Sequence, residues 1–194
     1  MTSASWRTFL ATVAVSTTAV LSAARAADAP EAAKPALRVS VSVPANHGSR
    51  GIILNRPDSH FHIVVTNVSD APQRLWREWC SWGFFNLTFK IVDANGEESV
   101  ATKKQREWTK NYPDFMELAP GEHYVIDVYP HRDWTGFPLP ANGKEMKLKL
   151  RAVYEIRPDD DSKKLNVWTG RIESDAIDVT VYNWGVNIPP KKAE

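Results

Sequence analysis

The sequence predicts an all-β chain folded as an antiparallel sandwich of two sheets with about seven strands. Three observations carry this reading. Apolar and polar residues alternate in six separate runs. Compact turn signals separate those runs. Beyond residue 26, no long segment keeps a helical period.

The first run sets Leu37, Val39, Val41 and Val43 against Arg38, Ser40 and Ser42. The second sets Phe61, Ile63 and Val65 against His60, His62, Val64 and Thr66. The third sets Phe85, Leu87, Phe89 and Ile91 against Asn86, Thr88 and Lys90. Tyr124, Ile126 and Val128 follow the turn Ala119-Pro120-Gly121-Glu122. The longest run places Met146, Leu148, Leu150, Ala152, Tyr154 and Ile156 on one face. Ile177, Val179 and Val181 close the series. One apolar and one polar face per strand suits sheets that each cover one side of a core. Turns are expected at Asn67–Pro72, Asp93–Gly96 and Pro158–Asp161. The stretch Lys103 to Asn111 is read as a turn or two of helix.

The first 26 residues read as an export signal. Arg7 supplies the positive start, Phe9 to Leu21 the short apolar segment, and Ala24-Arg25-Ala26 the small residues at the cut. The apolar run falls short of the ~20 residues that a membrane span needs. The expected organisation is a signal peptide over 1–26, a flexible lead-in over 27–36, a sandwich over 37–184 and a flexible tail over 185–194. The expected location is secreted or periplasmic, without a lipid anchor. Removing 26 of 194 residues leaves 168, enough for one domain with a real core. Losing Arg7 and Arg25 moves the formal charge from +1 to −1, which gives no electrostatic case for nucleic acid. A single cysteine, Cys80, rules out an internal disulfide.

FHIVVTN, the Ser-Asp-Ala-Pro turn, NLTFKIVDANGE and LAPGEHYVIDV follow one another in an order that resembles the immunoglobulin-like modules of bacterial secreted proteins. The layout is similar to the BsuPI-type proteinase inhibitor family, over roughly Leu37 to Val181. The segment Val167 to Val181 looks like the last two strands of such modules. The resemblance implies an immunoglobulin-like fold and, by the family's name, proteinase inhibition. No inhibitory loop carries over residue by residue.

Chemistry-bearing residues concentrate in the stretch RLWREWCSWGFFNLTF, Arg74 to Phe89. Gly83 marks a change of alternation phase and predicts a bulge or bend. Cys80 and Trp82 are expected to plug the core, since free cysteine is among the most buried residue types. A second reading makes an exposed aromatic platform from Trp76, Trp79, Trp108, Tyr112 and Trp134, with Arg74, Arg77 and Arg106 as polar orienters. Such a platform would engage a protein or carbohydrate surface. His60-Phe61-His62 puts two imidazoles on one strand face, which suits copper or zinc if His47, His123, His131 or Cys80 adds a third ligand. Asp159-Asp160-Asp161 offers three carboxylates, but Lys163 and Lys164 follow and the calcium-loop spacing is missing, so a solvated hairpin tip is expected. Asn67-Val68-Ser69 and Asn86-Leu87-Thr88 match the N-glycosylation pattern, Asn67 being placed at an accessible turn. No nucleophile elbow, phosphate loop or zinc-protease motif is present. The function expected is that of an exported, non-enzymatic binding module, with metal handling by His60 and His62 or proteinase inhibition as alternatives.

Overall fold

The computed structural model describes residues 35–45, 52–54 and 59–183. The expected signal sequence, residues 27–34 of the lead-in, the tail over 185–194 and His47 lie outside the described residues. In chain order the strands are β1 (Leu37–Ser42), β2 (Ile52–Leu54), β3 (Phe61–Asn67), β4 (Gln73–Trp76), β5 (Leu87–Asp93) and β6 (Glu98–Lys103). They continue with β7 (Phe115–Leu118), β8 (His123–Val128), β9 (Trp134–Thr135), β10 (Glu145–Ile156), β11 (Gly170–Glu173) and β12 (Ile177–Tyr182). Among the described residues three short helices intervene: α1 (Ser81–Phe84), α2 (Pro130–Asp133) and α3 (Asp160–Leu165).

The fold is an all-β sandwich. One sheet has the order β1-β3-β8, and the other runs β2-β12-β10-β5-β6-β9, with β11 also on β10. All pairings are antiparallel except that of β12 with β2. Register follows the apolar alternation. Val39 lies opposite Val65, Ile63 opposite Ile126, and Ala152 opposite Phe89. A slip of one residue would turn these faces to solvent, so burial pins the register. Phe61 and Phe89 meet edge to face across the layers, with centroids 5.5 Å apart. Around them Leu37, Ile63, Val65, Ile91, Leu150 and Ile156 are almost wholly buried. Each such side chain contributes about 1.5–3 kcal/mol of transfer free energy.

Strand β10 is long enough to serve two partners on one edge. Its first half pairs with β12 and its second with β11. The handover occurs at buried Ser174, whose Oγ accepts the Ala152 N–H at 3.0 Å and whose own N–H donates to the Ala152 carbonyl at 2.9 Å. A small third sheet, β4 with β7, lies beside the sandwich.

The structure corrects the sequence reading in several places. The six alternating runs correspond to β1, β3, β5, β8, β10 and β12, but the short strands raise the count well above seven. The third run begins at Leu87, because Phe84 rather than Phe85 points inward. Lys103–Asn111 is not helical: Lys103 ends β6, and the Lys104 N–H donates to the distant Asp133 carbonyl at 2.8 Å instead of to a helical turn. Pro158–Asp161 is no hairpin tip. Asp159 caps α3 through the Ser162 N–H at 2.6 Å, and the Ser162 hydroxyl accepts the Asp159 N–H at 2.9 Å in return. Gly83 sits in α1 rather than in a strand bulge, and only glycine fits there, since a Cβ would lie 2.2 Å from the Arg77 carbonyl oxygen. Asn67 is fully buried and not accessible: its Nδ2 donates to the Ala71 and Leu118 carbonyls at 2.8 and 2.9 Å, locking the turn after β3.

Candidate binding site

The Arg74–Phe89 stretch divides between core and surface. β4 ends at Trp76, which is 1% exposed and packs near Trp82, with centroids 6.4 Å apart. The chain then turns through 77–80 into α1. Cys80 is fully buried, and its Sγ donates to the Arg77 carbonyl at 3.2 Å. The expected core role of Cys80 therefore holds. Trp82 is partly buried and donates its Nε1–H to Asp161 at 3.0 Å, which ties α1 to α3. The aspartates of 159–161 accordingly serve separate partners: Asp159 the helix cap, Asp160 a loose pair with Lys163 at 3.7 Å, and Asp161 the indole. Trp79 points the other way and is 43% exposed, with Tyr112 edge-on at 5.2 Å.

Trp79 borders a groove of about 710 Å³. Its walls come from the turn between β4 and α1, the end of β6 with residues 104–106, β7, β8 and α2. Phe84, Met116 and Tyr124 supply apolar surface. The cations are Arg77, Lys103, Lys104, Arg106 and Arg132, against the carboxylates of Glu78 and Asp133. The groove thus has a positive excess in a protein whose total charge is close to zero.

Lys103 lies at the base. Ala101 and Lys103 share the inward phase of β6, so the ammonium enters a buried position. It pairs with Glu78 and lies 4.3 Å from the Phe84 centroid and 5.6 Å from that of Trp134. Strand β9 places Trp134 directly opposite Lys103. Burial pushes the Lys103 pKa down to about 8, with Asp133 opposing the shift and Arg106 adding to it. Burial likewise raises Tyr124 to about 12, so its hydroxyl stays protonated, 3.2 Å from the Glu78 N–H that donates to it. Arg106 stacks over Trp108 at 4.5 Å and Phe84 at 5.3 Å, which presents a cation on an aromatic shelf. Arg77 is held by Asp114 at 3.1 Å and by the Phe115 carbonyl at 3.2 Å. Arg132 is held by Asp133 at 2.8 Å, and that bond keeps the Asp133 carboxyl below its usual range.

Of the residues expected to make one platform, the fold gathers Trp79, Arg77 and Arg106 at this groove, with Trp108 and Tyr112 in contact with its walls. Trp76 and Trp134 do not belong to an exposed platform. The β4–β7 and β6–β9 pairings turn both into the core, where Trp134 packs on Phe89 at 4.9 Å. Arg74 is engaged elsewhere, pairing with Glu117 at 3.0 Å, donating to the Leu165 carbonyl at 2.9 Å and lying over Phe115. The sequence reading missed Lys103, Lys104, Phe84 and Arg132. Only Lys103 had a signal, a lysine in phase with buried Ala101.

A second cluster lies on the outer face of the β1-β3-β8 sheet. His62 sits opposite Asp127 in the β3–β8 register, and its Nδ1 is 2.8 Å from Asp127 Oδ1. His60 lies edge-on to His62 with centroids 5.0 Å apart, so the two imidazoles do share a face. The third potential ligand is Asp127, not one of those expected. His123 is 2.9 Å from Thr66 Oγ1, and Cys80 is sealed beneath backbone carbonyls.

No family model matches the chain, and no curated protein is significantly similar to it. Among the described residues no helix is long and apolar enough to cross a membrane.

Proposed function

We propose that this protein is an exported, non-enzymatic interaction module that uses the groove beside Trp79 to hold an acidic segment of a partner protein. The observation that carries the reading is the composition of the groove: five cationic side chains against two carboxylates, with an exposed indole at the border. Aromatic and arginine side chains together are the usual anchors of protein interfaces. Charge of one sign along a cleft also speeds the encounter with an oppositely charged partner. A flat sugar platform is less well supported, because the Trp79 and Tyr112 rings stand at 75° to one another. The layout similar to BsuPI-type inhibitors adds a protease as one partner class, which inhibition assays against a protease panel address.

The test is binding of synthetic peptides that combine glutamates with one aromatic residue, measured alongside an anionic glycan of equal charge. The expected result is salt-sensitive peptide binding that Trp79→Ala and Arg106→Ala each weaken at least about tenfold without loss of fold. Equal binding by both variants overturns the proposal, and selective binding of the glycan moves the partner to carbohydrate.

A further inference from the structure

We infer a second site, independent of the groove: His60, His62 and Asp127 form a surface centre for a divalent transition metal, with copper(II) the preferred ion. One nitrogen from each imidazole and one Asp127 carboxylate oxygen lie within 4.8 Å of one another. Ligand bonds to such ions run near 2.0–2.2 Å, so ligand atoms around one ion are ~3–4 Å apart. Rotation of the three side chains would have to close that difference. The backbone does not need to move, because β3 and β8 are adjacent strands in fixed register and His60 directly precedes β3.

The chemistry of the set is selective. Two imidazoles and one carboxylate suit copper, zinc or nickel better than calcium or magnesium, which prefer oxygen alone. With equal ligands copper(II) binds tightest in the series. Three protein ligands leave coordination positions for water or a small external ligand. Asp127 and His62 are partly open to solvent, at 52% and 29% side-chain exposure, so an ion can reach them. The local charge also fits. The 2.8 Å contact already holds the His62 ring beside the Asp127 carboxylate, and a bound ion would take the place of the shared proton. The neighbouring cation Arg132, over Tyr129 at 3.9 Å, is bound to Asp133 through two nitrogens and does not compete for Asp127. Tyr129 in turn packs against His60, with centroids 5.0 Å apart, which restricts the ring on its other side.

The experiment is calorimetric titration of the purified full chain with copper(II) and with zinc(II), joined to electron paramagnetic resonance of the copper-loaded protein. The proposal expects one copper per chain, nitrogen hyperfine structure from two imidazoles, and copper binding tighter than zinc. Replacing His60 and His62 together by Ala should abolish this binding. Asp127→Asn, which removes the charged ligand, should weaken it at least about tenfold. The triple variant His47→Ala, His123→Ala and His131→Ala should leave it unchanged. Binding that survives the His60/His62 double substitution, or a wild-type spectrum without imidazole nitrogens, overturns the inference. So does the absence of saturable binding. If the double variant folds poorly, the triple variant, which keeps only His60 and His62, decides the matter: an unchanged two-imidazole spectrum supports the site and its loss overturns it.

Discussion

Trp76 and Trp79 are three residues apart and have opposite fates. Trp76 ends a strand that β7 holds against the sandwich, and almost none of it meets solvent. Trp79 lies in the turn that follows and is 43% exposed. Lys103 is the reverse case, a charged residue in the buried base of the groove beneath an exposed indole. Side-chain type does not separate base from rim. Strand phase does, because alternation sends one residue in and the next out, while a turn releases the chain from that rule.

This contrast should first appear as stability. Trp76→Ala removes a buried indole whose surroundings cannot collapse, and should cost about 3–5 kcal/mol in denaturant unfolding. A loss below about 1 kcal/mol would place Trp76 outside the core and remove its contrast with Trp79. Next in size is Gly83→Ala. The turn that turns Trp79 outward brings the Arg77 and Trp76 carbonyls against Gly83, and a Cβ would meet them at 2.2 and 2.9 Å. Overpacking of this kind costs about 1–3 kcal/mol, and an unchanged unfolding midpoint would show that the turn can shift freely.

The buried position of Lys103 should show in the pH dependence of stability. Its pKa is about 8 in the folded chain against 10.5 when unfolded. Below pH 8 the ammonium is charged in both states, so its burial cost is present in full. Between pH 8 and 10.5 the folded chain releases the proton more readily, and stability rises relative to a variant without this group. Wild type should therefore gain on Lys103→Met by on the order of 1 kcal/mol between pH 7.5 and 10 in urea unfolding. A constant gap would mean that Glu78 and the rings hold the charge without penalty. The smallest effect belongs to Trp79→Ala, expected within about 1 kcal/mol of wild type because 43% of the residue is exposed and its neighbour Tyr112 is exposed too. A larger loss would make Trp79 structural and weaken the case for the groove.

The alternating runs were legible because each strand buries one face, and burial imposes a period of two on the side chains. That was enough for the two-layer sandwich and for the pairing of His60 with His62 on one face. It was not enough for elements that only neighbours stabilise. Strands β4, β7 and β9 have at most four residues, too few to show a period, and β6 hides its inward phase because Ala101 and Lys103 point in while Val100 faces solvent. The groove is assembled from five separated segments, so its charge was invisible in a chain whose total charge is near zero. Asp127 escaped notice for the same reason: 65 residues separate it from His62. Which faces are apolar follows from the residues alone, since hydrophobic burial is non-directional and needs no particular partner. Which tryptophans are core and which line the groove, and which carboxylate meets the histidines, follow from how the strands come together. Those outcomes depend on contacts between segments distant in the chain.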